Sequence, residues 1–295
     1  MAQPEIFDRQ LLKTRWKRAL NSAPDGADFL LKNVAEDLGD RLVSIKREFT
    51  TAIDLGGHST HLEDALEQTP NVGDVFRFDV LCTDKRFPAP ACVADDACPP
   101  LAEESVDLIV SALHLHLIND LPGTLIQLNR ALRPDGLFLA TLPGMDTLCE
   151  LRDVMMQAEI EVTGGVSPRI SPFGDTRDLG SLLQRAGYAL PVTDVDRLIV
   201  RYDTMFDLLR DLRAMGATSV LTERSKKPLR KDVLMKAAAL YAEKFADPDG
   251  RIRATFSMVT MSGWRPHESQ QQPLKPGSAK VRLADALGTV ETPTE

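Results

Sequence analysis

Several things are scarce in this chain of 295 residues, and each scarcity excludes something. Cysteine occurs four times, at Cys82, Cys92, Cys98 and Cys149, with no C-x-x-C pair, which rules out a zinc ribbon and a thioredoxin-like redox motif. Free thiols fit a reducing compartment. Aromatic residues make up only 5%, too few for the stacking platforms that bind single strands. Basic residues do not dominate: the net charge is −8, the wrong sign for a protein held to nucleic acid through phosphate contacts. No apolar run approaches the roughly 18 residues of a membrane span. The first twenty residues, MAQPEIFDRQLLKTRWKRAL, are basic and amphipathic but carry Glu5 and Asp8 and no apolar stretch, so they are not a secretory signal. They read as an ordinary N-terminal helix, with a matrix-targeting segment as the alternative.

What is present is a chain long enough to bury a large core, with 43% hydrophobic residues. From Ser44 onward, short apolar runs alternate with helical spacing. Strands are expected at Thr51 to Leu55, Val75 to Phe78, Ala91 to Ala94, Val106 to Ala112 and Leu137 to Leu142. Helices are expected after Gly56-Gly57 as far as Gln68 and over Leu121 to Leu132, the latter broken by Pro134-Asp135-Gly136. The run VDLIVSA is apolar throughout, as in a strand buried on both faces. This alternation predicts a doubly wound, parallel α/β sheet. The second half is more helical, over Thr147 to Glu161, Asp178 to Ala186, Met205 to Met215 and Asp232 to Phe245, with strands at Leu198 to Tyr202 and Thr255 to Met261 completing the sheet. Four segments result: an N-terminal helical segment 1–43, a Rossmann-like core 44–145, a helical cap with completing strands 146–263, and a polar tail 264–295 read as a loop or extended arm. The basic stretch Glu223 to Lys231 reads as a solvated helix connection, or else as a docking patch for an acidic partner.

The informative stretch is AIDLGGHST. An acid, Asp54, closes the first strand, and a glycine turn, Gly56-Gly57, opens the next helix. In a doubly wound sheet that turn lies at the ligand end of the strands. Asp79 ends the second strand 25 residues beyond Asp54, near the offset at which a carboxylate accepts both hydroxyls of a ribose. Asp95 and Asp96 follow the third strand, in reach of an adenine amino group. Four of the five histidines, His58, His61, His114 and His116, follow the first and fourth strands. If those strands are neighbours and 114–116 stays extended, the imidazoles converge at the pocket mouth, where with Asp54 they would suit a divalent metal. Separate polar contacts around a cleft are the other reading, and no metal site is assigned. No side chain stands out as a catalytic base.

DLGGHST, FRFD, ADDACPPL, SVDLIVSALHLHLINDLP and LRPDGLFLATLPG occur in the order of the class I S-adenosylmethionine-dependent methyltransferases, which the chain resembles. FDRQLLKTRW, GGVSPRISPF, DLGSLLQRAGY and ATFSMVTMSGWRPHESQQQPLKPGSA narrow the resemblance to the methyltransferase-like complex I assembly factors of mitochondria and their bacterial relatives. A more distant similarity runs to the malonyl-carrier-protein methyltransferases of biotin synthesis. The resemblance implies a class I methyltransferase fold with helical additions and an S-adenosylmethionine cofactor. By position, Asp54, Gly56 and Gly57 would hold its methionine end, Asp79 its ribose, and Asp95 and Asp96 its adenine, while Leu113 would line the pocket. It also implies a protein substrate in respiratory complex I assembly, with arginine hydroxylation described for the subfamily. Peripheral contact with a membrane complex would follow, in a bacterial cytoplasm or a mitochondrial matrix. A non-catalytic assembly chaperone and a carrier-protein or small-molecule methyltransferase are the alternatives. One departure stands out: the usual D-x-G-x-G-x-G has His58 and Thr60 at its second and third glycines.

Overall fold

The computed structural model describes residues 5–24, 26–56, 59–81, 91–271 and 288. The first expected strand becomes β1, Phe49–Leu55, and pairs in parallel with β2, Val72–Asp79, on one side and β4, Val106–Ala112, on the other. All seven residues of β4 are buried, which is why that stretch is apolar without alternation. The short β3, Ala91–Val93, extends the sheet beyond β2, and β5, Leu132–Pro143, lies beyond β4. The last strand in sequence, β7 (Ile252–Trp264), inserts antiparallel between β5 and β6 (Ala189–Tyr202). The order is therefore β3-β2-β1-β4-β5-β7-β6.

Alternate residues of the strands feed two cores. Leu108, Val110, Ala112, Leu137 and Leu139 face one way, toward α2 (Phe29–Val43), α3 (His61–Glu67), α5 (Cys149–Thr163), α7 (Met205–Ala214) and α8 (Lys231–Phe245). Ile109, Phe138, Ala140 and Leu142 face the other, toward α4 (Leu121–Ala131) and α6 (Thr176–Arg185). This two-to-one alternation is the strand period made visible on both faces.

A third, smaller core covers the carboxyl ends of the strands. There α1, Arg9–Ser22, starts at Asp8, whose side chain accepts the Leu11 N–H at 3.0 Å, and buries Leu12 and Trp16. Phe7, Val80, Leu117, Val220 and Leu221 complete this cluster. The helix is held from three sides. Phe7 exchanges hydrogen bonds with the Asn119 side chain at 2.8 and 3.1 Å, the Asp8 N–H donates to the Val220 carbonyl at 2.8 Å, and Arg224 reaches Asp8 at 3.4 Å.

Residues 222–230 belong to the solvated connection leading into α8, as the sequence suggests, with Lys226 and Lys227 exposed. The described start of the tail is a loop tied to the sheet: the Arg265 N–H donates to the Gly136 carbonyl at 2.8 Å, and Gln270 donates to Asp135 at 3.0 Å. The Pro134-Asp135-Gly136 break thus serves as an anchor for the chain leaving β7.

Candidate functional site

At the end of β1, Gly56 continues the ladder through its N–H to the Phe78 carbonyl at 2.7 Å, then turns the chain at φ +84°. A Cβ there would lie 2.1 Å from both Cγ and Cδ2 of His114, so the imidazole lies directly against the glycine. Only a residue without a side chain tolerates both the turn and that contact. Gly57 and His58 lie outside the described residues.

His114 arrives there through an unusual backbone. Leu113, just past β4, sits at φ +51°, left-handed for a residue with a branched side chain, with its N–H on the Thr141 carbonyl at 2.8 Å. That reversal, followed by a single 3₁₀ turn over Leu115–Leu117, drives His114 inward instead of letting 114–116 run extended. The imidazole is fully buried, and its Nε2 lies 2.5 Å from Asp96 Oδ2. The other oxygen of Asp96 takes the Arg9 guanidinium from α1, and the Trp16 ring centroid lies 5.3 Å from the imidazole's. Burial pushes the His114 pKa down to about 4; Asp79 opposes the shift and Arg9 adds to it. The ring is therefore neutral at pH 7, with Nε2–H donating to Asp96. Its Nδ1 has no partner among the described residues.

Asp79 lies alongside. It is 3% exposed, and one oxygen accepts the Leu81 N–H at 3.1 Å while Oδ2 is buried without a partner among the described residues. Burial raises its pKa, and the Leu81 N–H and His114 pull it back. Asp54 is buried below the glycine turn, in register with Val110 of β4 and Arg77 of β2. Asp95 and Asp96 part company. Asp95 faces solvent and accepts the Ala97 N–H at 3.1 Å, with Arg9 3.6 Å away, whereas Asp96 turns inward. The structure thus brings Gly56, Asp79 and Asp96 together around His114, with Asp95 at the rim. The sequence marks His114 by its place after the fourth strand, but nothing local marks Arg9 or Trp16 as members of this group.

Leu113 faces a second space, a cavity of about 330 Å³. Its walls are Leu12 and Trp16 of α1, Leu117, Leu151 and Met155 of α5, Phe173, and Leu212 of α7. Its polar lining is partly engaged, with His116 Nδ1, Arg169 Nε and Ser219 Oγ buried without partners among the described residues. Asp28 holds His61 at 2.6 Å, and Arg169 holds Glu159 at 2.6 Å, with Ser167 on the same carboxylate. His116 lines it too, its ring 6.0 Å from Phe173, and burial depresses its pKa to about 3. His61, His114 and His116 therefore reach three different neighbours, as in the reading of separate polar contacts; His58, the fourth histidine, lies outside the described residues. Among the described residues no three His, Cys, Asp or Glu side chains gather as metal ligands.

A Methyltransferase domain family model matches residues 57–140. The chain is 38% identical over 288 residues to "Arginine-hydroxylase NDUFAF5, mitochondrial" of Danio rerio, covering 95% of this chain and 89% of that protein. It is 29% identical to a "Malonyl-[acyl-carrier protein] O-methyltransferase" of a Methylovorus species, covering 98% of this chain and 96% of the relative. Among solved structures, a proposed methyltransferase of Bacillus halodurans superposes with a TM-score of 0.54 at 14% identity, covering 79% of this chain and 99% of that one. That likeness shows the fold. No helix among the described residues is long and apolar enough to cross a membrane.

Proposed function

We propose a function from one premise: the chain belongs to the family of the NDUFAF5 arginine-hydroxylases and is built on the class I methyltransferase fold. It is an S-adenosylmethionine-dependent enzyme that modifies a protein subunit during assembly of respiratory complex I. It works in the bacterial cytoplasm, or in the mitochondrial matrix of a eukaryote, touching the membrane complex from the side.

The observation that carries the cofactor half is Asp79. A buried carboxylate oxygen without a partner, at the end of the strand beside a glycine turn, is what a ribose diol would satisfy. Asp95, at the rim, lies where an adenine amino group would meet it, with inward-facing Asp96 behind. The turn from Asp54 through Gly56 and Gly57 would take the methionine end once the His114 imidazole leaves Gly56. Bound there, S-adenosylmethionine supplies an electrophilic methyl group. The chain's part is positional: Leu113 stands between cleft and cavity, and the apolar walls exclude water around the acceptor. His116, neutral and with its pKa at about 3, is too weak a base to take a proton and serves as a hydrogen-bonding group.

The test compares complex I from cells carrying the wild-type chain or Asp79→Ala, by mass spectrometry of each subunit. A modification on one subunit that disappears with Asp79→Ala is the expected result. Identical subunit masses, with complex I lost only on deletion of the whole chain, would favour a non-catalytic assembly chaperone, a reading that His58, Thr60 and the position of His114 support. Capture of acyl carrier protein in place of complex I subunits would favour a carrier-protein methyltransferase, which the apolar cavity supports.

A further inference from the structure

The space above Gly56 is filled by the chain itself. The imidazole of His114 overlaps the position of a Cβ on that glycine, is fully buried, and is held at 2.5 Å by an equally buried Asp96. Asp96 is fixed in turn by Arg9, whose guanidinium also approaches the Leu117 carbonyl at 3.4 Å. Trp16 packs on the imidazole, and a Cβ on Gly216 would stand 2.8 Å from Trp16 Cδ1, so the indole has little room to retreat. The ring is therefore wedged between the first turn of the sheet and the N-terminal helix.

The wedge is incompletely satisfied. Nδ1 of His114 and Oδ2 of Asp79 are both buried without partners among the described residues, the one just past β4 and the other at the end of β2. Buried polar atoms in folded proteins are rarely left so, and two together at the ligand end of a doubly wound sheet point to a ligand that satisfies them. A nucleoside can reach Asp79 with its ribose hydroxyls while the imidazole stays in place. An amino-acid tail continuing over Gly56 cannot, because His114 already occupies that ground.

We propose that His114 is a specificity-determining residue of the cleft: it favours a 5′-thioadenosine without an amino-acid tail, and S-adenosylmethionine or S-adenosylhomocysteine binds only by displacing the imidazole from Gly56 and Asp96. The proposal rests on the cofactor reading given above. It also makes α1 part of the cofactor site, because Arg9 holds the carboxylate that holds the imidazole. Anything that loosens Arg9 from Asp96 therefore favours the tailed ligand.

The experiment is calorimetric titration of the full-length protein with two probes that share adenosine and a thioether but differ in the tail: S-adenosylhomocysteine and 5′-methylthioadenosine. Wild type is expected to bind 5′-methylthioadenosine more tightly, by about tenfold. His114→Ala is expected to tighten S-adenosylhomocysteine about tenfold while moving 5′-methylthioadenosine less than about threefold, bringing the two probes to within about threefold of each other. Arg9→Gln should move the ratio in the same direction by a smaller factor, and it carries the test if His114→Ala fails to fold. An unchanged ratio in both variants, or a wild type that prefers S-adenosylhomocysteine, overturns the proposal and leaves the cofactor reading standing. Absence of binding by either probe to every variant removes the cofactor reading, and this proposal with it.

Discussion

At the ends of β1 and β2 the structure is crowded with its own polar side chains, Asp79, Asp96, His114 and Arg9, whereas the ends of β4 and β5 open onto an apolar cavity of about 330 Å³. The two spaces lie on either side of Leu113, yet they are stabilised differently. The polar half offsets burial with mutual hydrogen bonds and leaves His114 Nδ1 and Asp79 Oδ2 unsatisfied among the described residues. The cavity half owes its stability to packing around the empty space, with Asp28 and Arg169 paired in its lining and His116 Nδ1 unsatisfied among the described residues. The difference teaches where each half is poised to change: the polar cluster, filled by its own side chains, responds to pH and to ligand, while the cavity wall responds to loss of volume and, through His116, to pH.

Acidification should act on both halves through their buried histidines, His114 and His116, and the effect is the largest expected. Above pH 6.5 His114 is neutral in both folded and unfolded chains. Below that the unfolded chain takes up a proton that the folded chain refuses until about pH 4. Stability from this group alone therefore falls by about 1.4 kcal/mol per pH unit across that window. Asp79, raised by burial, has the opposite sign and softens the loss at the acid end. Urea unfolding at a series of pH values checks this, and His114→Ala should flatten the slope; an equal slope in the variant would assign the loss elsewhere.

Next in size is Gly56→Ala, which combines φ +84° with a Cβ 2.1 Å from the imidazole. A loss of about 3 kcal/mol is expected. Adding His114→Ala should recover the clash but not the backbone strain, so the double variant separates the two contributions in denaturant unfolding. In the cavity half, Leu212→Ala should lower stability by about 2 kcal/mol, the low end for a buried leucine, because part of its side chain already faces empty space. It should leave the preference between the two thioadenosine probes untouched. Smallest of all, Arg197→Ala removes an exposed pair with Asp146 outside both halves, and the thermal midpoint should not move measurably.

Much of this architecture was legible in local pattern. VDLIVSA emerges as a central strand with every residue buried, and the helix expected over Asp178 to Ala186 appears as Thr176–Arg185. The acids at the ends of the first two strands stand where the alternation of strands and helices put them. The clash over Gly56 was not legible. The side chain against Gly56 is His114, delivered by the left-handed backbone at Leu113, while His58, which stands at a glycine of the usual motif, lies outside the described residues. A positive φ at leucine has no propensity signal, and the contacts that hold it, Arg9 to Asp96 and Asp96 to His114, join residues 87 and 18 positions apart. His61 likewise turns to Asp28 instead of His114, a choice set by how α2 and α3 meet. Burial pattern identifies elements; it does not say which polar groups will meet once they pack.

The placing of β7 has a consequence for the order in which the molecule can be made. The strand nearest the end of the described chain, Ile252–Trp264, lies inside the sheet, bonded to β5 on one edge and β6 on the other. While the chain is growing on a ribosome, β5 waits with an open edge and β6 has nothing to pair with. A nascent polypeptide stopped before residue 252 would hold the glycine turn, Asp79 and His114, yet offer a bare strand edge to its neighbours. Synthesis must run past residue 264 before the sheet closes, which makes the stalled chain a substrate for chaperones well before it can serve as an enzyme.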